Sequence, residues 1–145
     1  MEIFKQFIFS FMSTIGFAVL FNSPKNSVIY AGLVGAIGWM LYYITFMATN
    51  NYVAATFLGA LTVGLLGEAL ARKNKKPATL YITAGIIPLV PGAGAYYTML
   101  HLIENDFSSA AAKGVETLFI AAAISTGIII SSIFSKSIKR VRQKD

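Results

Sequence analysis

Residues 79–102 form an apolar run long enough to cross a bilayer as a helix, yet its middle is written in residues that oppose one. The stretch Ile86-Ile87-Pro88-Leu89-Val90-Pro91-Gly92-Ala93-Gly94 holds two prolines and two glycines. Each proline removes a backbone donor, and its ring clashes with the preceding turn. The glycines lower the cost of non-helical backbone. The segment is therefore expected to cross as two half-helices joined by an irregular break. Hydrocarbon cannot satisfy the N–H and C=O groups that a break frees, so the break must face protein or a water-filled cavity. Breaks of this kind near the midplane are where transporters place their substrates.

The remaining sequence reads the same way. Only 12% of the 145 residues are charged and 56% are hydrophobic, whereas about a quarter of a soluble domain is charged. The charges cluster between long uncharged runs. The expectation is one all-α membrane domain of five transmembrane helices over about residues 7–21, 27–46, 52–71, 79–102 and 108–134, the fourth broken at Pro-Leu-Val-Pro-Gly. A basic cytoplasmic tail is expected over 135–145. Met1-Glu2-Ile3-Phe4-Lys5 lacks the basic n-region and small-residue cleavage site of a signal peptide, so the first span is expected to be retained. The chain has no cysteine, which removes disulfides, thiolate metal sites and cysteine nucleophiles.

Turn residues punctuate the spans. Asn22-Ser23-Pro24-Lys25-Asn26 closes the first and Thr49-Asn50-Asn51 the second. Gly32, Gly35 and Gly38, then Ala54, Ala55, Gly59, Ala60, Gly64 and Gly67, offer small faces where helices can approach closely. Trp39, Tyr42 and Tyr43 suit an interface. Arg72-Lys73-Asn74-Lys75-Lys76 is the strongest charge run between spans. Basic loops favour the cytoplasm, which puts this loop, the Lys25 turn and the tail inside and the Asn50 and Asn105 turns outside. The expected location is a cell membrane crossed several times, N-terminus outside and C-terminus cytoplasmic. The net charge of +6 is then explained by topology and anionic membrane lipids, not by nucleic acid.

The break carries the functional expectation. A lone proline is usually a kink, but Pro-x-x-Pro-Gly followed by Gly94 unwinds more than a kink needs. A half-helix beginning near Gly92 aims its partially positive N-terminus into the membrane, which suits a carboxylate. Pro88, Pro91, Gly92 and Gly94 shape this candidate substrate site, and Tyr96 or Thr98 contributes a hydroxyl; Tyr97 is a further candidate. For each side chain taken singly, packing between helices is the plainer role. Glu68 can carry a coupling proton, since an acid inside a membrane is costly; the plainer reading pairs it with Arg72 at i,i+4. Lys113 and Glu116 read as a surface pair, and the lone His101 as an interfacial residue without metal-ligand companions. Asn22 either caps its turn or projects inward. Enzyme chemistry finds no footing: no acid pair lies within a span, and neither a nucleophile elbow nor a phosphate-binding glycine loop occurs. No cofactor or metal is expected.

The stretches Gly16-Phe17-Ala18-Val19-Leu20-Phe21-Asn22-Ser23-Pro24, Gly35-Ala36-Ile37-Gly38-Trp39, Ala69-Leu70-Ala71-Arg72 to Pro77, and Ile87-Pro88-Leu89-Val90-Pro91-Gly92 to Tyr96 occur in this order. Together they resemble the C-terminal half of the bacterial threonine/serine exporter family. Members come as one long chain or as two subunits, and this length resembles the small subunit of the split form; one such system is associated with succinate export. The resemblance implies a larger multi-span partner subunit and export of a small carboxylate-bearing solute, driven by the proton gradient. The rival reading is a channel or a structural subunit that stabilises a partner. Glycine-rich faces permit a homo-oligomer as readily as a heteromeric pair.

Overall fold

The computed structural model describes residues 2–142, with side chains through Ser135 and at Ser137. Its elements are α1 (Glu2–Leu20), α2 (Lys25–Thr49), α3 (Tyr52–Asn74), α4 (Thr79–Gly85), a 3-10 turn (Ile87–Leu89), α5 (Gly92–Ile103) and α6 (Phe107–Arg142). There is no strand among the described residues. The segment expected as a tail continues α6 through Arg142; residues 143–145 of it lie outside the described residues.

Four helices, α1, α2, α3 and residues 107–135 of α6, are long and apolar enough to cross a membrane. The segment over 79–103 is bent by 48° at its break. Its pieces give about 35 Å of path, against a hydrocarbon thickness of roughly 30 Å. The chain is thus an all-α membrane protein of four or five spans.

Size sets the packing. Large apolar side chains point outward, Phe4, Phe9, Met12 and Leu20 from α1 and Leu118, Phe119, Ile133 and Phe134 from α6. The interior is built from Ala18, Ala31, Ala36, Ala55 and Ala60, with Val34, Val63 and Tyr81 the largest apolar or aromatic side chains fully enclosed. In lipid no hydrophobic force drives helices together, so close fit must do it. Gly35 lies against Thr14, Gly38 against Val63, Gly64 against Ser131, and Gly67 against Ile82. Buried Thr14 donates to Ser10 O (2.8 Å) and Ser131 to Ile128 O (2.7 Å), so their hydroxyls are satisfied within their own helices.

These contacts give the helix directions. α1 and α2 are antiparallel, with Trp39 Nε1 donating to Gln6 Oε1 at 2.9 Å. α2 and α3 are antiparallel, and so are α3 and α4. α6 instead runs parallel to α3, since Gly127 meets Phe57 and Leu61 while Ser131 meets Gly64. α5 pairs antiparallel with the first half of α6, Gly94 on Thr117 and Gly114 on Thr98.

The turns use asparagine where left-handed backbone is needed. Asn22, Asn50 and Asn105 have φ of 53°, 51° and 60°, and Lys75 has 53°. Asn tolerates this region better than most residues, and it closes helix ends. Asn22 serves its turn by backbone: the following Ser23 N–H reaches Ala18 O at 3.0 Å. Asp106 opens α6, accepting from Ser109 N–H at 3.1 Å. The Ser109 hydroxyl and then its N–H favour the ionised form and hold the Asp106 pKa below its ordinary value.

Two measurements check this. A Cβ on Gly127 would sit 2.9 Å from backbone atoms of Phe57 and Leu61, which cannot swing away, whereas Gly16 has open space around it. Gly127→Ala should cost about 1–3 kcal/mol by overpacking, and Gly16→Ala should be neutral or slightly stabilising, read as thermal unfolding in detergent. A lowered carboxylate pKa stabilises the fold at pH above the unfolded Asp value, and this is lost as pH falls through the folded one. The thermal stability difference between wild type and Asp106→Ala should therefore shrink under acid, while Asp106→Asn, which keeps a capping oxygen, should remove this contribution to the pH dependence.

Candidate functional site

α4 is held in the core by Tyr81, fully buried, whose hydroxyl accepts from Asn74 Nδ2 at 2.9 Å. Gly85 then lets α4 lie against Val34 and Val63. Past it the helix cannot continue. Ile86 N–H still reaches Ile82 O (3.0 Å), but Leu89 N–H turns to Ile86 O (2.9 Å) and Val90 N–H to Ile87 O (3.2 Å). Val90 is extended (φ −64°, ψ 127°), as the residue before a proline prefers. Pro91 follows, Gly92 N–H folds back to Val90 O at 2.8 Å, and α5 starts without a side-chain cap.

One side of this break is anchored and the other is open. Leu89 enters the core against Gly59. Val90 is 49% exposed, and a Cβ on Gly92 would meet nothing within 4 Å. Pro88 and Pro91 are half-buried. Beyond them, Gly94 packs on Thr117, and the Thr98 hydroxyl donates to Gly94 O at 2.8 Å. Tyr96 is 63% exposed and its ring meets Tyr97 edge-on at 5.4 Å. Pro88, Pro91, Gly92, Gly94, Tyr96 and Thr98 therefore share one ribbon, and no cavity common to them is seen among the described residues. Thr98 alone lines an apolar hollow of about 410 Å³, with Ala95, Met99, Gly114, Thr117 and Leu118. Its partners Gly114 and Thr117 were not singled out from sequence; their small size at i,i+3 was the available signal.

A second polar cluster lies where α3 meets α6. The local spacing paired Glu68 with Arg72, and the structure corrects this. Among the described residues the ion pairs are Glu2–Lys5 (3.3 Å) and Lys113–Glu116 (2.9 Å), with His101 Nδ1 lying 3.8 Å from Glu104 Oε2, and none includes Glu68. The Glu68 carboxylate accepts instead from Ser135 (3.1 Å) and weakly from Ser132 (3.4 Å). The Arg72 guanidinium donates to the same Ser135 oxygen. Ser135, only 4% exposed, thus bridges acid and base across two helices. No group of metal-ligating side chains is found among the described residues.

Long apolar helices packed on small residues around one broken segment define a helical integral membrane protein. The family described as threonine/serine exporter, ThrE, matches residues 6–134, and the chain belongs to it. This is a transporter family. Over 147 residues the chain is 25% identical to an uncharacterized protein of Haemophilus influenzae, covering 99% of this chain and 50% of that protein. The chain thus spans about half the length of the curated relative it matches. No solved structure matches it.

Ser135→Ala leaves Glu68 and Arg72 without their shared partner. Since Arg72 is exposed and Glu68 keeps Ser132, it should cost about 0.5–1.5 kcal/mol of stability. Ser125→Ala, whose exposed hydroxyl reaches only Ala121 O (3.0 Å) in its own helix, should cost far less in the same thermal measurement.

Proposed function

We propose that this chain is one half of a secondary exporter of a small carboxylate-bearing solute, threonine or serine or a dicarboxylate such as succinate. It acts with a larger multi-span membrane partner that supplies the other half. The observation that carries this reading is the break at 86–92, anchored by Leu89 and open beyond Val90, in a chain of an exporter family. Freed backbone groups cannot face lipid. Their open side calls for a second protein surface or a watery cavity shared with one. A relative twice as long supplies the precedent for a second half on the same chain.

In this reading the segment crosses the membrane fully. The parallel course of α3 and α6 supports it, because the intervening segment must return the chain to the opposite end. The Arg72–Lys76 loop and the end of α6 then share the cytoplasmic side, with the N-terminus outside. An odd number of spans inverts this half relative to its partner, a common transporter plan. Substrate carboxylate meets the N-terminal turn of α5, shaped by Pro91, Gly92 and Gly94, and Tyr96 or Thr98 offers a hydroxyl. The proton gradient drives export. The single histidine and the absence of cysteine leave little for catalysis.

Inverted vesicles containing both halves test this. Threonine, serine or succinate should accumulate under an imposed proton gradient and cease to when it is collapsed. Pro91→Leu removes a helix-breaking residue worth ~3 kcal/mol against continuity. It should cut accumulation to a small fraction at equal expression. Equal transport by the variant would remove the break from the mechanism, and solute leaking only down its gradient would favour a channel.

A further inference from the structure

The exporter reading leaves unused a cavity at the basic end of the bundle. It measures about 380 Å³, lies between the end of α3, the turn into α4 and α6, and is lined by Glu68, Arg72, Lys75, Lys76 and Ser135. Its walls are fixed by bonds between elements. Lys76 Nζ reaches Ser27 Oγ at 2.8 Å and Asn26 Oδ1, which ties the turn to the start of α2. Arg72 and Glu68 both hold buried Ser135, which ties α3 to α6.

The charge balance points to an anion. Three cations face one carboxylate, a surplus of two positive charges. Cations at a helix C-terminus ordinarily neutralise the dipole, but that amounts to only about half a charge. Lys76 moreover leans away from α3 toward α2. The one acid already accepts two serine hydroxyls. The volume falls within the roughly 300–1,000 Å³ of small-molecule sites.

We propose that this cavity is an oxyanion site. It takes either the carboxylate of a small solute, held at the cytoplasmic mouth before it reaches the break, or the phosphate of an anionic lipid headgroup. The first occupant rests on the exporter reading; the anion chemistry does not.

Lys75→Asn tests the site without disturbing the turn. Lys75 occupies left-handed backbone, which asparagine adopts readily, so the change removes charge and keeps the cap. Lys73→Asn removes the same charge from the same turn, at a residue that does not line the cavity. The full-length chain in nanodiscs is titrated with succinate in phosphatidylcholine, or with rising phosphatidylglycerol content and no succinate, and its melting temperature is followed. Saturable stabilisation by one probe is expected. Its midpoint should shift about three- to fivefold in Lys75→Asn, the worth of one partly screened charge pair, and stay unchanged in Lys73→Asn. Which probe saturates identifies the occupant as solute or lipid. Equal shifts in both variants, or no saturable response to either probe, overturns the site. Accumulation in inverted vesicles without such binding overturns the site and leaves the exporter reading standing; binding without accumulation does the reverse.

Discussion

Nothing in hydrocarbon pushes one apolar helix toward another, so this fold rests on how closely backbones can approach. Gly127 shows the limit: its α-carbon lies so near α3 that an added methyl would press on backbone at 2.9 Å. Such contact is available only to small residues, and alanine, glycine and serine make up much of the interior, with Val34, Val63, Tyr81 and Leu89 filling the space between them. The bulky side chains go outside, where lipid accepts them. Ordering by size thus replaces the ordering by polarity seen in water.

The same constraint explains where polarity is allowed. Buried hydroxyls at Thr14 and Ser131 are spent on their own helices. Glu68 and Arg72 occur near the basic end, where Ser135 serves both. The largest departure from regular backbone, between Ile86 and Gly92, is secured on one side by Leu89 and left uncovered on the other. Hydrocarbon cannot shield such a flank, which is the physical ground of the exporter reading proposed above.

Much of the fold was legible because its signals are strong and local. Charges and asparagine turns mark helix ends, and the prolines at 88 and 91 mark the break. Other features were not, for physical reasons. Charged residues after Phe134 limit what lipid tolerates, yet lysine and arginine are good helix formers, so α6 runs on to Arg142. Spacing placed Arg72 beside Glu68, but the partners of Glu68 are 64 and 67 residues away, which no local pattern reveals. The residues of the break could be named from sequence, but not the side they face, because that depends on how α1, α2 and α3 pack around it.

α5 is fastened differently from its neighbours. It lies along the first half of α6, while α4, directly upstream, is wedged among α2 and α3. Between them stand Val90 and Pro91, where Val90 N–H closes the 3-10 turn on Ile87 O and Pro91 O accepts the first bond of α5 from Ala95 N–H. The consequence is mechanical. α4 is gripped by α2 and α3 while α5 is gripped by α6, so the two pieces of one segment answer to different parts of the bundle and the short stretch between them is where any mismatch in their positions must be absorbed.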